Sequence, residues 1–219
     1  MPTEKVTFSA GPQQQSIMRD GRSSIVSKKK NSVVMVSPAA RELSRGSRPV
    51  FVVALHNAGD APRDFRVSDI SVVERDEAGS GRSLQVVSYE QLVGEERARQ
   101  VVGALLVGVA AAGNVAAAHN NSYYRGGRYS PIAGAINSAH ADAQNAAMIQ
   151  NAAATGQFNM AALEKDVLKD NTILPQEWIG GQLHIEAPSG SGTGPKQYVI
   201  TVPVGEDLHE IAVTQGSAS

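Results

Sequence analysis

The chain has 219 residues, with 20 Lys and Arg against 21 Asp and Glu and a formal net charge of −1. That length suffices for one sizeable domain, or for one domain carrying an insertion, and the near-zero charge leaves no global field to draw in nucleic acid or an anionic membrane. The absence of cysteine excludes disulfides, thiolate metal sites and a Cys nucleophile.

The first residues, MPTEKVTF, have neither the charged nor the apolar region of a signal peptide. The expectation is a cytosolic chain, or one from which a signal or lipoprotein anchor has been removed. Residues 4–9 alternate and predict a short strand. Residues 13–18 predict another, turning at Arg19-Asp20-Gly21-Arg22, where Gly accepts positive φ. Strands over 23–27 and 32–37 follow. Lys28, Lys29 and Lys30 between them have a nucleic-acid or anionic-lipid reading; with so little net charge, a solvated hairpin turn is the simpler one.

Residues 38–47 are polar, with room for a turn of helix. Residues 49–57, PVFVVALHN, give the strongest strand signal. They are nearly continuously apolar and β-branched, as a central strand buried on both faces would be. Strands over 65–67 and 70–74, a polar turn at 76–81 and a strand over 84–88 complete the first half.

At Ser88 the period changes. Ser88 and Gln91 have capping-box spacing, and a helix is expected from Tyr89 through the apolar run VVGALLVGVAAAGNVAAA at 101–118. Such an arm, roughly 30 residues, would be near 45 Å long. Ala104, Gly108, Ala112 and Ala116 recur every four residues and would let another backbone come close. A polar, aromatic tip at 119–131 precedes a second helix over 132–154, with Ala135, Ala139, Ala143 and Ala147 at the same spacing. The two seams are expected to pack on each other within a helical hairpin. The same face has oligomerisation and bilayer insertion as its other readings. Against insertion, Ala and Gly supply little transfer energy and Asn114 interrupts a run that should hold about 20 strongly apolar residues. Thr155-Gly156 is expected to end the second helix, and Asn159 to cap a short third one over 160–169.

Three of the five tyrosines fall in the tip. Tyr123, Tyr124 and Tyr129 with Arg125 and Arg128 are residue types that carry interface energy, so they are the candidate partner-binding set. The alternative is a loop whose aromatics fold back on the arms. Strands return at 181–187, 197–204 and 208–214, the first two separated by the loop SGSGTGP. With Lys196 that loop faintly suggests phosphate binding, but it lacks the Gly-Lys-Ser/Thr ending and the strand-to-helix setting. His184 and His209 fall in strands and make a two-His metal site conceivable, short of the three or four ligands zinc takes. Trp178 is expected to plug one end of the core. No catalytic, metal or cofactor constellation emerges.

Short, turn-bounded strands on both sides of a helical segment predict a mainly β fold: an antiparallel, immunoglobulin-like β-sandwich with a long Ala/Gly-rich hairpin inserted. The sandwich would comprise residues 1–88 and 171–219. The insertion would be 89–170, including the short third helix.

Asn171-Thr172-Ile173-Leu174-Pro175, Gly180-Gly181-Gln182-Leu183, residues 199–202 and His209-Glu210-Ile211 together resemble a pattern of uncharacterised bacterial envelope and lipoprotein sandwich domains. The strand ending at Asn57 resembles one that such domains use before a loop. The resemblance covers about half the chain, is structural, and transfers no functional residues. It implies a non-enzymatic sandwich in the periplasm or at the outer membrane. The expected function is a structural or assembly protein that self-associates, or binds another envelope protein, through the hairpin and its tip. No nucleic-acid partner and no cofactor is expected. A membrane-active or pore-forming oligomer that inserts its hairpins is the second reading.

Overall fold

A computed structural model describes residues 3–19, 21–75, 81–123, 131–188 and 194–217, and the side chains of all but 19, 108–109, 112–123 and 131–138 of these. The chain is mainly β, in antiparallel sheets, with two helices. It divides into two compact units, one of Met1–Tyr89 and Asp166–Ser219, the other of Glu90–Lys165.

In the first unit the strands are β1 (Thr3–Ser9), β2 (Gln14–Arg19), β3 (Arg22–Lys28), β4 (Ser32–Pro38), β5 (Leu43–Ser44), β6 (Val50–Asn57), β7 (Arg63–Phe65), β8 (Ser71–Arg75), β9 (Gly81–Leu84), β10 (Val86–Val87), β11 (Asn171–Ile173), β12 (Trp178–Ile185), β13 (Lys196–Val204) and β14 (Asp207–Ser217). One six-stranded sheet runs β5-β1-β14-β13-β8-β9, and a second runs β10-β12-β6-β4-β3-β2; β7 and β11 form a separate pair. Alternate residues of both sheets fill one core, among them Val6, Val72, Ile200 and Ile211 from the first and Ile25, Val34, Val53 and Leu183 from the second. Phe51 joins them with ring centroids 6.3 Å from Phe8 and 6.2 Å from Tyr198, both edge-on, a favoured aromatic geometry.

Several expectations need correction. β6 is an interior strand of its sheet, but only one of its faces is buried; Val52 and the residues two along stay partly in water. Residues 38–47 hold β5, not a turn of helix. The run LQVVS is not one strand: it breaks at Gln85, so that β9 pairs with β8 in one sheet and β10 with β12 in the other. Trp178 is 54% exposed and plugs nothing; its ring stacks on His56 at 4.6 Å. Asn57, by contrast, is wholly buried: its amide donates to the carbonyls of Ala61 and Ile173 at 2.8 and 3.0 Å and accepts from Gly59 N–H at 3.0 Å, pinning the following turn. Gly181 has a steric cause, since a Cβ there would lie 2.6 Å from the Leu168 backbone nitrogen.

The second unit is made of α1 (Tyr89–Tyr123, 35 residues) and α2 (Pro131–Asp166, 36 residues), each counted over its whole length. The expected break at Gly156 and the short third helix are absent; α2 runs through both. Gly156 instead gives room to Gln100 of α1. A Cβ would meet the Gln100 Cδ at 2.9 Å, and Gln100 donates to the Gly156 carbonyl at 3.1 Å. Asn159 does not cap a helix: its amide donates across to Glu96 at 3.0 Å.

Candidate functional site

The helical unit carries its polarity the wrong way round. The pair is antiparallel, as contacts of Glu96 with Asn159, Gln100 with Gly156 and Ala111 with Asn145 require. On α1 the buried or half-buried residues include Leu92, Glu96, Gln100, Val107 and Ala111, spaced four, four, seven and four, which is one face of a helix. Glu96, 4% exposed, is met by Arg99 at 3.1 Å, Asn159 at 3.0 Å and Gln100 at 3.4 Å. Asn145 is also buried and donates to the Ala111 carbonyl at 3.3 Å. The seam is therefore laced with polar groups.

At about 100° per residue, Leu105 lies nearly opposite that seam, Val101 and Val102 about 130° from it, and Leu106 about 90° from it, on its flank. They are 61, 55, 66 and 66% exposed. Ile149 and Phe158 of α2 are exposed as well. A surface helix ordinarily turns such residues inward and its carboxylates outward. Here the Glu96 carboxylate is inside beside Leu92, and Leu105 and Leu106 are in water.

This arrangement also relocates the expected small-residue seam. Ala104, Ala139, Ala143 and Ala147 are exposed, so they are not the surface buried between α1 and α2. Among the α2 residues whose side chains are described, the buried positions are Ala141, Asn145 and Gly156. A two-residue offset turns the contact by about 200°, and α2 has alanine on every face, so composition could not choose among them. Gly108, Ala112, Ala116 and Ala135 lie outside the residues whose side chains are described, as does Tyr123. Tyr124, Arg125, Arg128 and Tyr129 of the tip lie outside the described residues altogether.

A second polar group, which sequence reasoning missed, sits in the core of the first unit. His209 on β14 is 0% exposed, with Nδ1 2.9 Å from Ser27 Oγ of β3 and Nε2 2.8 Å from Ser32 Oγ of β4. Ser32 donates onward to the Asp207 carboxylate at 2.6 Å, which also accepts the Asn31 N–H at 2.9 Å. With the Ser32 proton committed to Asp207, its oxygen accepts from His209 Nε2–H, and Nδ1 accepts from Ser27. Burial holds the imidazole at about 4 against its ordinary 6.5, helped by the nearby Lys29 charge and opposed by Asp207. The ring is thus neutral and its hydrogen bonds tie one sheet to the other. Ser27, Ser32 and His209 are all shut from solvent, and the carboxylate sits on a serine, not on the imidazole. That is neither the access nor the order that nucleophile activation uses.

His184 does not join His209. It lies between the buried Leu183 and Ile185 of β12, so it points out of the core into which His209 points. No group of three or more His, Cys, Asp or Glu that could hold a metal lies among the described residues. A buried ion pair stands elsewhere in the core: Lys196 reaches both Glu4 oxygens at 3.1 and 3.2 Å, Gln215 donates to Glu4 at 2.6 Å, and Tyr198 donates to Gln215 at 3.2 Å. Burial pushes the Glu4 carboxyl up, but the Gln215 and Lys196 hydrogen bonds and the Lys196 and Arg45 charges outweigh it and hold it below the usual range. No helix among the described residues is long and apolar enough to cross a membrane. No family model matches the chain, and neither a curated protein nor a solved structure does.

Proposed function

We propose that this chain is a non-enzymatic assembly protein that self-associates through its helical unit. The observation that carries the reading is the inverted polarity of α1, with Glu96 buried at the seam and Val101, Val102, Leu105 and Leu106 in water. Contiguous exposed apolar side chains of this size mark interaction surfaces. A second copy supplies the same apolar stripe, which makes a two-fold contact self-complementary. The exposed Ala104, Ala139, Ala143 and Ala147 would let further helices approach closely. The Tyr/Arg tip belongs to the same proposal as a second contact, with another envelope protein as the alternative occupant.

The architecture proposed to carry this activity is an immunoglobulin-like β-sandwich of the first unit with α1 and α2 inserted as a hairpin. It is supported by the single core that both sheets share. The compartment proposed is the bacterial envelope, periplasm or outer membrane, and its support is the sequence resemblance alone. Single-cysteine variants test the contact cleanly in a chain with no cysteine of its own. Val102→Cys and Leu106→Cys should oxidise rapidly to disulfide-linked dimers, and a cysteine at Gln150 on α2 should not. Equal rates at all three positions, or none, would contradict the proposal.

A further inference from the structure

We infer that the recess beside the β3–β4 turn is a binding site for a phosphate-bearing anion. The recess has a volume of about 560 Å³ and is lined by Gln13, Gln14, Gln15, Val26, Lys28, Lys29 and Lys30. Among the described residues no carboxylate pairs with any of the three lysines. Lys29 is half-buried, unlike its two exposed neighbours. A lysine charge that no carboxylate pairs is open to an anion from solution.

The floor is rigidly made. Gln14 is committed to the fold, donating to the Glu210 carbonyl at 2.6 Å and accepting the Gly11 N–H at 2.9 Å. Gln13 is held at a positive φ of 62° and its carbonyl accepts the Lys28 N–H at 3.0 Å. Lys29 N–H closes the turn on the Ser32 carbonyl at 2.9 Å. A left-handed backbone at a non-glycine residue is costly and collects at functional loops. Asp207, beside the turn, accepts hydrogen bonds from Asn31 and Ser32 and makes no ion pair with the lysines. Three ammonium groups, with the amides of Gln13 and Gln15 on the same lining, suit the oxygens of a ligand with more than one phosphate or a phosphate on an organic group. Lysine binds phosphate as a point charge and needs no fixed fork. The ligand source is a soluble phosphate ester or a phospholipid headgroup, which share this chemistry.

The site also touches the buried network. The Lys29 charge helps keep His209 neutral. An anion that offsets Lys29 should therefore raise the pH at which His209 protonates. Binding remote from Lys29 would not offset that charge.

The test is calorimetric titration of the full chain with inorganic pyrophosphate at low salt, beside an NMR titration of His209. One saturable site per chain is expected. Lys29→Gln should weaken it about tenfold, the loss of one charge-assisted contact, whereas Lys165→Gln on α2 should leave it unchanged. Pyrophosphate should raise the His209 midpoint in the wild type and not in Lys29→Gln. Lys28→Gln and Lys30→Gln, at exposed positions, give the same readout if Lys29→Gln disturbs the turn. Flotation with phosphatidylcholine vesicles, with and without phosphatidic acid, separates the sources. Retention on the acidic vesicles that pyrophosphate displaces assigns a lipid headgroup, and pyrophosphate binding without retention assigns a soluble phosphate. The inference is overturned by absence of saturable binding, by undiminished binding in all three lysine variants, or by vesicle binding that pyrophosphate cannot displace.

Discussion

Protonating His209 should loosen the tie between the two sheets, and the size of the effect follows from its burial. The unfolded chain takes up the proton near 6.5, whereas the folded chain resists it down to about 4. Above 6.5 the ring is neutral in both states and the tie contributes in full. Between the two values the unfolded chain binds a proton that the folded chain refuses, so stability falls as pH falls; below about 4 both are charged and the loss levels off. At about 1.4 kcal/mol per pH unit the interval is worth about 3 kcal/mol. His209→Gln is the reference, because an amide can still donate to one serine and accept from the other without titrating. Guanidinium unfolding of both proteins from about pH 7.5 down to about pH 4 should show the wild type losing about 3 kcal/mol relative to the variant. The Glu4 carboxyl loses its own contribution only below about its unperturbed 4.5, and does so in both proteins. Parallel stability curves would refute the reasoning, for they would mean that His209 titrates in the folded chain as it does in the unfolded one.

Removing the ammonium from the buried pair, by Lys196→Met, should cost about 3 kcal/mol in chemical unfolding at neutral pH, because Glu4 stays buried with Gln215 and Arg45 as its remaining partners. Gly181→Ala should cost about 1–3 kcal/mol, since the added methyl meets backbone atoms of Leu168 that cannot swing aside. Leu105→Ser combined with Leu106→Ser should leave the thermal midpoint nearly unchanged at concentrations low enough for single chains, where both side chains are 66% exposed. The same pair should weaken self-association by about a thousandfold or more. Each leucine has about 1–2 kcal/mol of burial left to gain, and a two-fold contact counts it twice.

The strands were legible where period and turn chemistry agreed. Residues 32–37 and 197–204 alternate between turns, and they form β4 and β13 almost residue for residue. LQVVS was less legible because a change of sheet at Gln85 leaves no mark on composition. Gly156 misled for a physical reason: a glycine inside a helical pattern reads as a stop, yet here it makes room for Gln100 from another helix. Glu96 reads as an ordinary surface residue of its helix and Asn159 as a helix cap, and only a distant partner makes them a seam. Trp178 has the composition of a core residue and the position of a surface one. His209, Ser27 and Ser32 are scattered over about 180 positions of sequence, and no local spacing announces them. The exposed stripe of α1 was visible as an apolar run, but which side of it faced water was decided by where Glu96 and Gln100 point.

The central claim is that the apolar face of α1 meets another copy of the chain. The most direct measurement is the molar mass of the intact protein by light scattering across a wide concentration range. The account predicts a mass that rises with concentration to a multiple of the chain's 23.0 kDa and stays near that of one chain in the Leu105→Ser, Leu106→Ser variant. A wild-type mass fixed at one chain throughout would contradict it.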